Sequence, residues 1–267
     1  MKAIAGPASL LAAALALLVP GVAGAQQLQP HRAEYTLRLG TALNATRIGT
    51  IVQQMTLTCD GWRLQRELSV DASLTPSFKV SFTSRLEGEE PRGKGFTWRG
   101  VQVLNGAERE VRGTAEWEQG AWRVDRTTPD GPQPSVLPSF TLMPVAALDY
   151  LVRRLARGSE QLPLLLFVPE AEGGAFRLDV KRAASGAADT TPPSQRRVEV
   201  PGTQSWPFSI TVTRTGRTDG RPIITLRGRI FDSGVMDGLV ADAGPITVAA
   251  HLRDLQMREP PTCPGTR

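Results

Sequence analysis

The sequence predicts a mainly β protein: an antiparallel sheet, one amphipathic helix, and a disulfide between the first hairpin and the C-terminal tail. Three observations carry this. Short stretches alternating apolar and polar residues, separated by Gly, Pro and Asp turns, recur along most of the chain. A single segment switches to a helical period. Only two cysteines are present, Cys59 and Cys263, near opposite ends of the chain.

The chain opens with Met1 and Lys2, then the apolar run SLLAAALALLVPGVAGA, with Ala23 and Ala25 in an A-x-A-like pattern before Gln26. This is the layout of a secretory signal peptide. The apolar core from Leu10 to Val19 is about half the ~20 residues a membrane span needs. Residues 1–25 are therefore expected to be removed, leaving 26–267 as a single β-rich domain with no transmembrane anchor. Length alone would also accommodate two smaller domains. The formal net charge is +5, nearly all of it from arginines interleaved with Asp and Glu. A solvated surface explains it, and an anionic partner is the alternative. In the oxidising compartment that export implies, Cys59 and Cys263 read as a structural disulfide. Free thiols and intermolecular pairing are the alternatives. Neither cysteine lies in a C-x-x-C motif, which argues against an oxidoreductase.

The first strand is read in HRAEYTLRLG, with Ala33, Tyr35, Leu37 and Leu39 on one face. Two more follow in the stretch from Ala45 to Ser73, with Ile51, Met55 and Leu57 inward and Asp60-Gly61 as the turn. FKVSFTSRLEG and KGFTWRG give further strands, the latter ending at Gly100. EREVRGTAEWEQGAWRVDRT reads as a hairpin turning near Gln119-Gly120, with Val111, Ala115 and Trp117 on one face. The proline-rich TTPDGPQPSVLPS reads as a break, because proline cannot continue a central strand.

The period then changes. Val145, Leu148, Leu151, Val152 and Leu155 form a helical stripe, with Asp149, Arg153, Arg154 and Arg157 off it. Pro144 suits a helix start and Gly158 a stop, so one helix is predicted over residues 144–157, covering one opening or face of the sheet. After it, LPLLLFVPE, AFRLDVKRAA, WPFSITVTRTG, PIITLRGRIFDSGV and GPITVAAHLRDLQMRE read as strands, with RRVEV following a small-residue loop.

No recognised catalytic motif accompanies these elements. The chain has no G-x-S-x-G elbow, H-E-x-x-H helix or phosphate loop. Its two histidines are His31 and His251; His251 with Asp254 could form part of a hydrolytic triad, but no serine is singled out. A carboxylate pair could serve a glycosidase, yet the Asp and Glu positions fit polar strand faces equally well. No metal cluster, cofactor motif or nucleic-acid motif is recognised, so no enzyme, cofactor or nucleic-acid partner is expected. Trp62, Trp98, Trp117, Trp122 and Trp206 are candidates for lining a ligand surface, against a core role.

HRAEYTLRL near the chain start, CDGW in the first hairpin, VLPSFTLMP before the helix, WPFSITV, GVMDGLVADAG and the terminal PPTC occur in order across the chain. In this the sequence resembles the EipB-like family of periplasmic cell-envelope integrity proteins. It departs from the family in its proline-rich stretch before the helix and a small-residue segment near residues 185–193. The resemblance implies a bent, spiral-like or partly open β-barrel, similar in general shape to periplasmic lipoprotein carriers, and Cys59–Cys263 as the family disulfide. It implies a non-enzymatic protein in the periplasm of a Gram-negative bacterium, supporting envelope integrity by binding a protein or envelope component. A lipid or lipoprotein carrier with an apolar cavity is the alternative expectation, and a glycan-acting enzyme the third.

Overall fold

The computed structural model describes residues 28–42, 44–75, 78–93, 95–171, 174–184, 198–202, 204–215 and 221–264. The expected signal peptide and the small-residue segment at 185–193 lie outside the described residues. The first half of the chain forms β1 (His31–Leu39), β2 (Arg47–Leu57), β3 (Gly61–Thr75), β4 (Phe78–Pro91), β5 (Phe96–Leu104), β6 (Ala107–Glu118), β7 (Ala121–Thr128) and β8 (Gly131–Leu137). A two-residue β9 (Thr141–Leu142) leads into the helix α1 (Pro144–Ala156). Then come β10 (Gln161–Phe167), β11 (Ala175–Arg182), β12 (Ser205–Arg214), β13 (Ile224–Phe231), β14 (Met236–Ala243) and β15 (Ile246–Met257).

All fifteen strands form one sheet, in the order β8-β7-β6-β5-β4-β3-β2-β1-β15-β14-β13-β12-β11-β10-β9. Neighbours are antiparallel except β9 and β10. The first and last strands meet in the middle, with His31 opposite Met257 and Leu39 opposite Val248. The two edges are therefore β8 and β9, which are consecutive in the chain and joined by Pro138, Ser139 and Phe140 alone. A link that short reaches at most ~14 Å, whereas fifteen strands laid flat would put the edges ~67 Å apart at about 4.8 Å per strand. Connectivity forces the sheet to curl into a nearly closed barrel.

The inner face follows the predicted alternation. His31, Ala33, Tyr35 and Leu37 are buried, and Met55 and Leu64 continue the row across β2 and β3. Ile51 and Leu57 are half-buried. The β6–β7 turn falls at Gln119 and Gly120, both with positive φ (50° and 84°). At Gly61 the reason for glycine differs from the expected one. Its φ is not positive; instead a Cβ would stand 2.3 Å from the Glu90 carbonyl oxygen of the neighbouring strand. Gly88 and Gly113 are constrained from above, because a Cβ there would strike the rings of Phe96 (2.6 Å) and Trp98 (2.8 Å). The two rings lie over these glycines and stack 5.7 Å apart, and Phe167 of β10 meets both edge-on.

Three strands differ from expectation. β5 runs past Gly100 to Leu104. The proline-rich break is β8, paired only with β7. Prolines 132 and 134 lack the N–H a ladder needs, so their nitrogens face the free edge, where a strand tolerates them. β14 was not anticipated, and the short polar-and-small run MDGLVADA explains why: only Gly238 and Val240 are buried in it. Residues 198–200, at the end of RRVEV, are not a strand.

The main core lies between the first-half wall (Met55, Leu64, Leu86, Phe96, Trp98, Val124), α1, and the second-half wall (Leu162, Phe167, Val180, Phe208, Ile230). α1 ends one residue earlier than predicted, with Arg157 as C-cap and Gly158 at φ 81°. Val145, Ala147, Leu151, Val152 and Leu155 are buried, and Leu148 is half-buried. Its N-cap, Met143, supplies no side-chain bond, and its first turn holds no acid. The cap comes from the sheet instead: the Glu90 carboxylate accepts hydrogen bonds from the Val145 and Ala146 N–H groups, both at 2.8 Å. A second cluster (Ala33, Tyr35, Leu37, Ile48, Ala72, Val235, Ala250, Leu252) lines the barrel around β1 and β15.

Candidate functional site

Cys59, in the β2–β3 turn, and Cys263, in the tail after β15, are joined, with Sγ–Sγ 2.17 Å and Cα–Cα 5.5 Å. The tail lies along the barrel rim, where the Arg258 N–H donates to the Pro30 carbonyl (2.8 Å) and its guanidinium to Gln54 (3.2 Å).

The five tryptophans separate. Trp98 and Trp206 are buried in the main core, and Trp62 and Trp122 pack partly buried against it. Trp117 is 47 % exposed and meets Trp122 edge-on at 5.3 Å. They do not converge on one surface.

Both histidines sit on the β1–β15 seam and are buried. Burial lowers the pKa of each. His31 Nδ1 lies 2.8 Å from the Gln29 carbonyl. The carboxylate acting on His251 is Asp237, opposed by Arg38, whereas Asp254 pairs with Arg32 (3.6 Å). Among the described residues no group of three or more His, Cys, Asp or Glu could hold a metal ion.

Inside the barrel, the loop after β10 presses onto the first-half wall. The buried Glu170 accepts hydrogen bonds from Arg66 and from Ser84 (2.9 Å). Gly100 faces it closely, since a Cβ there would lie 3.2 Å from Glu170 Cγ. Arg126 donates to the Ala171 carbonyl (2.8 Å) and to Gln133 (2.6 Å). These contacts latch the second half of the barrel to the first, and the buried side chains of α1 belong to the main core.

The hollowed surface is on the other face of the sheet. Across β2–β5 the register sets Thr50 beside Ser69, Ser69 beside Thr83, and Thr83 beside Val103. One step along, Val52 lies beside Glu67, Glu67 beside Arg85, and Arg85 beside Val101. Side chains at these positions point away from the core and wall a hollow of about 610 Å³, with Glu87 and Arg99 at its end. A second hollow of about 520 Å³ shares Glu87 and Arg99 and continues to Arg63 and Glu89. Two smaller ones, of about 160 and 170 Å³, adjoin at Gln54–Gln65 and at Trp62–Pro91. Together they make a trough along β3 and β4. Val52, Val101 and Val103 are half-buried in its floor.

Its rim is charged. Arg63 donates to Glu89 (2.7 and 3.0 Å), and Arg99 makes two bonds to Glu110 (both 3.0 Å). At the centre, Arg85 lies between Glu67 (3.6 Å) and Glu87 (3.3 Å). On sequence alone, Glu67, Glu87 and Glu89 fit polar strand faces like the other acids. The available signal was in β5, where Phe96 and Trp98 point inward but Val101 and Val103 have the opposite parity, placing apolar residues on the outer face.

No curated protein matches the chain. Among solved structures, a β-barrel-like protein of a domain of unknown function from Brucella abortus is similar, with 19 % identity over 87 % of this chain and 99 % of that one, and a TM-score of 0.73. At that identity the likeness concerns the fold, and it fits the curled sheet. The family model described as EipB-like matches residues 22–259, nearly all of the barrel and its rim, and the chain belongs to the EipB-like family.

Proposed function

We propose that this protein is a non-enzymatic binding protein of the periplasm, supporting cell-envelope integrity by holding a protein or envelope component in the outer trough of β2–β5. The observation that carries this reading is the position of the hollow. The trough is open, elongated and walled by polar heads over an aliphatic floor. Beneath α1, Leu151, Val152 and Leu155 share one buried cluster with Phe96, Trp98 and Phe167. Specific ligand sites combine an apolar surface with a few placed polar groups, and here that combination lies outside the barrel. Turnover would need an acid, base or nucleophile poised in the hollow; the trough's charged groups are instead exposed and paired with one another. The carrier alternative would place its ligand in an apolar cavity among the residues that α1 covers.

The test is complementation. In a strain lacking the protein, detergent sensitivity should be restored to normal by the wild type and not by Val101→Trp, which fills the trough floor, provided both proteins melt at the same temperature. Full restoration by Val101→Trp would remove the trough from the function.

A further inference from the structure

The trough's own chemistry narrows its occupant, and this step rests on the binding reading above. The strands beneath it, β2 to β5, are each paired on both sides. A ligand therefore meets side chains only and cannot be added as a strand, the usual way an extended peptide gains main-chain hydrogen bonds. The floor valines form a shallow aliphatic strip, and aromatic lining is confined to Trp98 and, at the β2–β3 end, Trp62, a sparse set beside the aromatic and methionine anchors that enrich protein interfaces. The rim is largely self-paired: three arginines, 63, 85 and 99, face four glutamates, 89, 67, 87 and 110, an excess of one negative charge. A polyanion or polycation would have to break these pairs to bind.

What remains unspent is hydrogen-bonding capacity that an uncharged ligand can use. Arg85 is ion-paired through Nε with Glu67 (3.6 Å) and Glu87 (3.3 Å), and a ligand can add hydrogen bonds to its remaining N–H donors and to the outer carboxylate lone pairs. The hydroxyls of Thr50, Ser69 and Thr83 stand beside them in register. A hydroxyl group both donates and accepts, and neighbouring hydroxyls fit the forks of carboxylate and guanidinium. The C–H faces of a sugar ring suit a valine floor. The trough follows β3 from Gly61 to Ser69, which at ~3.3 Å per residue is about 26 Å and calls for a chain, not a single ring. We propose that the trough binds an uncharged, linear oligosaccharide.

The experiment is calorimetric titration of the full protein with two uncharged probes, the β-1,4-linked hexamer of N-acetylglucosamine and maltoheptaose, alongside heparin as an anionic control. Saturable binding of at least one uncharged probe is expected. It should be at least tenfold weaker in Arg85→Ala and lost in Val101→Trp, with melting temperatures confirming that both variants fold. It should also persist in 1 M salt, since the probe itself carries no charge to be screened. Absence of binding by both uncharged probes at millimolar concentration, or binding that both variants retain, overturns the proposal. The complementation assay separates the two readings. If neither sugar binds and Val101→Trp still fails to restore the envelope, the trough serves another partner and the carbohydrate assignment alone falls. If Val101→Trp restores it, the trough reading falls as well.

Discussion

Glu90 joins sheet to helix through one carboxylate, and its environment sets opposing effects against each other. Two backbone N–H bonds at a helix N-terminus favour the anion. Burial, reinforced by the nearby charge of Asp149, disfavours it and prevails, pushing the Glu90 pKa up to about 7 from 4.5. The folded protein thus binds more protons than the unfolded chain between these values, so stability falls as pH rises from about 4.5 to about 7 and levels off above. Each pH unit in that window is worth about 1.4 kcal/mol, giving a ceiling of about 3 kcal/mol from this residue. Urea unfolding of wild type and Glu90→Gln across pH 4.5–8 isolates it: the difference between the two should change through the window, and parallel profiles would refute the assignment. Neither Glu90 nor Glu170 could be singled out in the sequence. Each is an ordinary acid near a strand end, and what distinguishes them is a partner far along the chain: α1 for Glu90, Arg66 and Ser84 for Glu170.

At the scale of elements, local pattern was informative wherever one face met the core and the other met water. The helix, the β6–β7 hairpin and most second-half strands were legible for that reason. β8 was not, because its meaning depends on being an edge. Prolines 132 and 134 place missing donors along the free side of a fifteen-stranded sheet, a device that blocks pairing with another chain. Replacing both with valine restores two outward N–H groups. The double variant should shift toward larger species with rising concentration in sedimentation experiments, while the wild type shows no such added dependence. An unchanged distribution would mean that the edge is protected by other means.

For the whole molecule, closure was the least legible feature. It follows from a three-residue link between opposite sheet edges, and the two-residue β9 that makes the link an edge-to-edge jump is too short to carry a periodicity. The disulfide spans 204 positions and ties the rim of the first hairpin to the tail. Cross-linking so long a loop restricts the unfolded chain by about 5 kcal/mol in the loop-entropy model. Cys59→Ser should therefore lower the urea midpoint and speed proteolysis under oxidising conditions, and the two proteins should converge under reductant. Equal midpoints under oxidising conditions would remove the bond's stabilising role. The trough also belongs to this scale, since it is assembled by register across four strands and no one segment displays it.

The account's central claim is that the ligand is held outside the barrel and not within it. Methyl NMR of the protein, labelled at valine and leucine and titrated with a soluble extract of the cell envelope, tests this directly. The resonances of Val52, Val101 and Val103 should shift while those of Val145, Leu151, Val152 and Leu155 stay in place. Movement of the helix methyls with the trough valines unmoved would contradict the claim and place the ligand in the interior, as a carrier requires.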